Sequence, residues 1–272
     1  MPPHPRPRPS PVAMRRLVPR FGTTERSNTP DPDPAQRHPA SPRTDGGYPG
    51  GVILGIDTSL GTAVAVVDRD GVVRADESRT DPLGHAEAIG GLLQEALAHA
   101  AFGPLGTTSP EPVALTAVAA GMGPGPFTGL RVGIAAARAF ALGRGIPVIP
   151  VASHDAAALA ILLADPFADL PRFAVVTDAR RRELAFTVYD GVDDDGLPER
   201  VTEPALSPRD ELDARLSDLG AERRDVAAIS GAMIALVAGR ALAASRELAS
   251  AEPLYLRAPD VTLPGARKKV GT

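Results

Sequence analysis

The segment VILGIDTSLGTAVAVVDRDG at 52–71 is answered at 172–191 by RFAVVTDARRRELAFTVYDG. Each is an apolar strand that ends in Asp, then a short turn, then an alternating strand, then Asp-Gly. The two align with a one-residue slip placed in the turn. Any β-hairpin can show this pattern, but its return after 120 residues points to an internally duplicated domain.

The remaining elements follow from periodicity. Asp70-Gly71 is a hairpin dipeptide, and VVRADES after it reads as a third strand. Residues 85–102 set Ile89, Leu92, Leu93, Ala96, Leu97 and Ala100 on one helical stripe. LTAVAAG (115–121) is a short buried strand, followed by a Gly/Pro loop and a helix over about 129–143. IPVIPV is a strand and SHDAAALAILLA a helix. The second half adds a polar helix near 207–219, a strand VAAIS (226–230), a helix over about 232–248 and an extended PLYLRAPDVTLP. Three antiparallel strands followed by alternating helix and strand predict an α/β sheet of mixed direction, covered on both faces. The second such unit is the shorter.

Residues 1–50 are different in kind. Pro and Arg recur, aliphatics are few, and neither helical nor strand period is present. Such a segment cannot bury enough apolar area to offset its ordering entropy, so it is expected to be disordered. Its prolines and the acids from Glu25 onward fit a dispensable tail or an over-called start better than a transit peptide.

Composition removes several functions. The 272 residues contain no Cys, which excludes disulfides, thiolate catalysis and Cys-ligated zinc, and fits a reducing cytoplasm. A net charge of −4 argues against direct, phosphate-dominated RNA binding, and the absence of Trp removes an obvious stacking platform. No run of 18 apolar residues is present, so no membrane-spanning helix is expected.

Two turns could carry chemistry. In Asp57-Thr58-Ser59-Leu60-Gly61-Thr62, short hydroxyl side chains and Gly61 would let backbone N–H groups approach a phosphate. An ordinary hairpin with Asp and Ser bonded to their own backbone reads the same way. The run Gly121-Met-Gly123-Pro124-Gly125-Pro126-Phe127-Thr128-Gly129-Leu130-Arg131 joins a buried strand to a helix. It lacks the Gly-Lys-Ser/Thr of a Walker loop, and its chemistry alone favours a pre-shaped scaffold turn. Of the five histidines, His85 and His99 are expected at helix ends or on the surface, and no pair has metal-binding spacing. Ser153-His154-Asp155 is consecutive, so the side chains diverge and form no triad.

The stretch GMGPGPFTGLRVGIAAARAFALGRGIPVIPVAS closely resembles the Gly-x-Gly-Pro-Gly-Ser-Phe-Thr-Gly-Leu-Arg signature of the TsaB (YeaZ) family, with Pro126 where Ser is usual. ILGIDTS, His85-Ala86-Glu87, TDARRRELAFTVYDG and Tyr255-Leu256-Arg257 match in order, so the resemblance covers about 52–264. It implies an actin-like (ASKHA, ribonuclease H-like) α/β fold. The first subdomain would span 52–168 and carry the partner-binding helices. A reduced second subdomain would span 170–264, with a flexible tail at 265–272.

The resemblance also implies a non-catalytic subunit that pairs with TsaD. With TsaE the pair would transfer threonylcarbamoyl to the adenosine 3′ of the anticodon in ANN-decoding tRNAs, forming t6A. Contact with tRNA would come only through the complex. ATP or ADP is allowed at the level of the complex, and a homodimer is allowed in isolation. The turn at Asp57, Thr58, Ser59, Gly61 and Thr62 would be a vestigial phosphate loop. The family's helix pair nominates Ala88, Leu92, Ala96, Ala135 and Ala139 for the partner contact. Ser153 and Ala157 stand where TsaD-like chains carry a His-x-x-x-His metal pair. Arg182 replaces the usual Gly of the second turn, and only Gly231 remains of an adenosine-type Gly pair. An active actin-like phosphotransferase and a glycoprotease-type peptidase are the alternative readings.

Overall fold

The computed structural model describes residues 51–81, 84–102, 112–165 and 169–257. The expectations for residues 1–50, 258–264 and 265–272 fall outside them.

The first sheet comprises β1 (Val52–Asp57), β2 (Thr62–Asp68), β3 (Val73–Arg79), β4 (Leu115–Gly121) and β5 (Val148–Val151). Their order is β3-β2-β1-β4-β5. The β1–β2 and β2–β3 pairs are antiparallel, while β1–β4 and β4–β5 are parallel. Every residue of β1 is buried, as expected for a strand covered on both faces. Alternation sends Leu54 and Ile56 toward α1 (His85–Ala101) and α2 (Phe127–Arg144). Ile53, on the other face, packs on α5 (Gly231–Ala243), in a core that also includes α3 (Ser153–Ala164).

The second sheet orders β10 (Glu222–Asp225), β6 (Phe173–Asp178), β7 (Glu183–Val192) and β8 (Pro198–Arg200), with β9 (Ala205–Pro208) also paired to β7. The β6–β7 pair is antiparallel and β6–β10 parallel, repeating the β1–β2 and β1–β4 arrangement. The short helix α4 (Leu212–Asp218) covers Ala174, Val176, Phe186 and Val188 on one face. The other face sends Phe173, Val175 and Tyr189 into the same core as Ile53. Helix α5 packs on the first sheet and α3 on the second, and the two helices pack on each other.

Several details depart from the sequence reading. In the first hairpin Asp57 pairs with Ala63, and in the second Asp178 pairs with Leu184. The turns are the same length, so the slip is not in the turn. It arises because Asp190-Gly191 lies inside β7, and the chain reverses only at Asp193–Gly196. The strand expected at 226–230 is instead the charged run Glu222–Asp225. This edge strand pairs only with β6, so its side chains can stay in solvent, while Ile229 turns into the core. Strands β8 and β9 are only three and four residues long and carry no period that would announce them. The expected helix at 207–219 shrinks to α4 because β9 takes its first residues.

Candidate functional site

The first turn is closed. Asp57 is buried at the end of β1. Its Oδ1 accepts from the Ser59 backbone N–H at 2.8 Å and from Ser59 Oγ at 2.5 Å. Its Oδ2 accepts from Ser153 Oγ at 2.5 Å. Burial pushes the Asp57 carboxyl above its ordinary value, against the hydrogen bonds from Ser153 and Ser59 that pull it down. Thr58 Oγ1 donates to the Gly129 carbonyl at 2.7 Å, and Thr62 Oγ1 pairs with His85 Nδ1 at 2.9 Å. Gly61 takes φ +96°, which a side chain would resist.

The Gly/Pro run forms a roof over this turn. A Cβ on Gly121 would stand 1.9 Å from Asp57 Oδ2. One on Gly125 would stand 2.8 Å from Ser59 Cβ, and one on Gly133 would stand 2.2 Å from Thr58 Oγ1. The glycine spacing is thus the imprint of close packing against Thr58 and Ser59. A phosphate does not fit: the Ser59 N–H and all three hydroxyls are spent inside the fold. Pro124 follows a cis peptide bond, and Leu130 is fully buried.

Three successive residues at the start of α3 point in three directions. Ser153 holds Asp57 of the first hairpin and also accepts from the Gly123 backbone N–H at 3.1 Å. His154 pairs through Nδ1 with Thr187 at 2.8 Å and through Nε2 with Thr177 at 3.0 Å, both in the second hairpin. Burial lowers its pKa to about 3, so the ring is neutral. Asp155 accepts from Tyr189 Oη at 2.8 Å and from Arg200. Ser153, His154 and Asp155 therefore do not converge on one another. Ala157 lies in the core, and among the described residues no cluster of His, Asp or Glu could hold a metal.

The second turn is open. Arg180, Arg181 and Arg182 are exposed and take φ of 62°, 50° and 63°. Left-handed backbone costs a non-Gly residue roughly 1–2 kcal/mol. A cleft of about 590 Å³ separates this turn from the start of α2. Tyr255 closes one side: its ring lies 4.4 Å from that of Phe127, and its hydroxyl accepts from Arg131 Nε at 3.2 Å. The Arg131 guanidinium in turn sits 3.7 Å over Phe127, so the late Tyr-Leu-Arg segment is bound to the signature run.

The helix pair divides the partner candidates. Leu92 and Ala96 are in the core, and Ala88 packs half-buried against it. Leu92 and Ala96 cover this chain's own sheet, which corrects their nomination, whereas Ala88 keeps part of its surface exposed. Ala135 and Ala139 face outward on α2, with Leu142 beyond them 84% exposed. His85 begins α1 as expected but is buried, whereas His99 is exposed and bound to Glu77. Sequence reasoning missed the role of His85; its only signal was the nearby Thr62, which is a hairpin away.

A family model described as TsaD, tRNA N6-adenosine threonylcarbamoyltransferase, matches residues 79–207. An uncharacterized protein of Mycobacterium tuberculosis is 37% identical over 164 residues, 59% of this chain and 67% of the relative. A tRNA N6-adenosine threonylcarbamoyltransferase of Streptococcus pneumoniae is 36% identical over 107 residues, 39% of this chain and only 29% of that enzyme. The solved structure of YeaZ from Pseudomonas aeruginosa aligns at TM-score 0.57 and 22% identity, over 76% of this chain and 100% of that one. The chain belongs to one family with the Mycobacterium tuberculosis protein. The structural likeness to YeaZ is one of fold, and that fold is the actin-like one. Against the family signature, Pro126 is the N-cap of α2 and leaves the helix without a side-chain cap. Arg182 takes left-handed backbone, φ 63°, at the position where the resemblance puts Gly. No helix among the described residues is long and apolar enough to cross a membrane.

Proposed function

We propose that this chain is the non-catalytic subunit of the machinery that makes threonylcarbamoyladenosine on tRNA. In this reading it pairs with a TsaD-type catalytic subunit and acts with TsaE. The complex transfers threonylcarbamoyl to the adenosine 3′ of the anticodon in ANN-decoding tRNAs. The observation that carries the reading is the first turn, where phosphate donors are consumed internally and Ser153 and Ala157 stand in place of a metal pair. A chain built this way contributes a surface rather than a reaction centre. The surface is the outward side of α2, where Ala135 and Ala139 allow close helix approach and Leu142 supplies apolar area.

A phosphotransferase would need that turn open, and a peptidase would need Ser153, His154 and Asp155 to converge. The test is reconstitution with TsaD, TsaE, threonylcarbamoyl-AMP and tRNA. Modified tRNA should form only when both this chain and TsaD are present. Product from this chain without TsaD, or sustained ATP hydrolysis or casein cleavage by it alone, would overturn the reading.

A further inference from the structure

We infer that Arg131 and Arg138 of α2 are a shared handhold. In the isolated chain they hold residues 251–257 as a strap against the second hairpin; an acidic partner helix docking on the outward side of α2 takes them over and releases the strap. This linkage rests on the reading of that side as the surface for a TsaD-type subunit, and extends the effect of docking to the second hairpin.

Residues 251–257 form neither helix nor strand and cross from α2 to the second hairpin. The Arg138 guanidinium donates to the Ala251 carbonyl, and Arg131 Nε donates to the Tyr255 hydroxyl at 3.2 Å. The Tyr255 ring packs on Phe127, with 4.4 Å between centroids. At the far end Arg257 pairs with Glu183, the first residue of β7, and donates to the Arg180 carbonyl at 3.3 Å. Among the described residues, the segment's one backbone hydrogen bond to the rest of the fold runs from the Leu254 N–H to the Met122 carbonyl at 2.7 Å. The strap therefore depends on side-chain contacts made partly in solvent, whereas α2 and the second hairpin have full backbone ladders. It is the first of the three to open.

The arginines that hold the strap lie on the outward side of α2. Arg131, Ala135, Arg138, Ala139 and Leu142 are exposed and follow one another at helical spacing. Helix α2 carries no Asp or Glu, and neither arginine is in an ion pair with a described carboxylate. Elsewhere Arg172, Arg209, Arg223 and Arg246 all pair with carboxylates. In a chain of net charge −4, this side is a basic strip whose acceptors are only a hydroxyl and a carbonyl. A carboxylate holds a guanidinium about twice as strongly as a neutral acceptor does. A helix seated at Ala135 and Ala139, with Asp or Glu beside the crossing, therefore draws Arg138 from Ala251 and Arg131 from Tyr255, and the strap loses its hold on α2.

The test is hydrogen exchange of the full chain, read by mass spectrometry with and without a saturating TsaD-type subunit, together with the affinity for that subunit. Docking should protect α2 and speed exchange at residues 254–257 and at the second turn, 179–183. Linkage is reciprocal, so Tyr255→Ala, which frees the strap beforehand, should speed the same amides in the free chain and tighten subunit binding about fivefold. Tyr255→Phe removes only the hydroxyl and should act in the same direction, which keeps the linkage testable if the alanine variant fails to fold. Arg138→Gln keeps a donor for Ala251 but removes the charge, and should weaken subunit binding about tenfold. Arg138→Lys should restore most of that loss. Docking that leaves the strap's exchange unchanged, weaker binding by Tyr255→Phe, or parent affinity in Arg138→Gln would overturn the linkage and leave the partner reading in place. Release of the strap by tRNA alone would also overturn it, since the occupant would then be a nucleic acid. A parent chain that binds no TsaD-type subunit would overturn both.

Discussion

The two β-hairpins are the same device put to opposite ends. Each closes an Asp onto a residue six positions later, and each has a parallel neighbour beside its first strand. The first turn points into the protein, where Ser153, Gly129 and His85 take its polar groups and the Gly/Pro run covers it. The second carries three exposed arginines on left-handed backbone, and two of them, Arg180 and Arg181, line a cleft. Adjacent residues of α3 hold the two: Ser153 ties down the first and His154 the second. One hairpin turn is thus filled by the chain's own groups, while the turn of the other faces a cleft.

The contrast is broken most severely by adding one carbon to the roof. Gly121→Ala puts a methyl group into Asp57, and Gly125→Ala puts one into Ser59. Each should cost about 3 kcal/mol or more of stability. Arg181→Ala in the open turn should change stability by no more than about 0.5 kcal/mol. Thermal or denaturant midpoints decide this. A tolerated Gly125→Ala would mean that the roof is not tightly packed.

The tie to the second hairpin should fail in acid. His154 has an ordinary pKa of 6.5 and is held at about 3 in the fold. Between those values the unfolded chain binds the extra proton, so stability falls as pH drops from 6.5 toward 3, by up to ~4 kcal/mol. Asp57, whose carboxyl is raised, acts in the opposite sense. Comparison with His154→Gln isolates the histidine: the variant should show a shallower loss between pH 6.5 and 4.5. An identical slope would remove His154 from the account.

A smaller change sharpens the comparison from the other side. Arg182→Gly replaces a left-handed arginine with a residue that accepts positive φ freely. It should raise stability by about 0.5–1 kcal/mol after the entropy cost of glycine. A loss of stability would mean that the Arg182 side chain makes contacts worth more than the strain.

Much of this was legible in the sequence because it rests on period and punctuation. The strands at 52–57 and 115–121, the helix at 153–164 and the duplication all followed from apolar runs and turn residues. The divergence of Ser153, His154 and Asp155 followed from their being consecutive. The outward side of the helix pair was only half legible. Helical spacing groups Ile89, Leu92, Ala96 and Ala100 on one side, and on α1 that side is the one taken by the chain's own sheet. On α2 the small residues Ala135 and Ala139 look no different in sequence from the buried Ala137 and Ala141. The closure of the first turn was hidden because its partners, Gly129 and Ser153, lie 71 and 96 residues from the groups they hold.

The central claim, that this chain works by offering the outward side of α2 to a TsaD-type subunit, is tested most directly by Ala139→Arg. Its partner affinity and the tRNA modification of the mixture should be measured together, with Ala135→Arg as a second outward variant and the buried Ala96→Arg as a contrast. Ala96→Arg should unfold the chain, because it buries an unpaired charge. Ala139→Arg and Ala135→Arg should stay folded and lose partner binding and tRNA modification together. If both outward variants fold and still bind the partner at the parent affinity, the surface lies elsewhere and the account is contradicted.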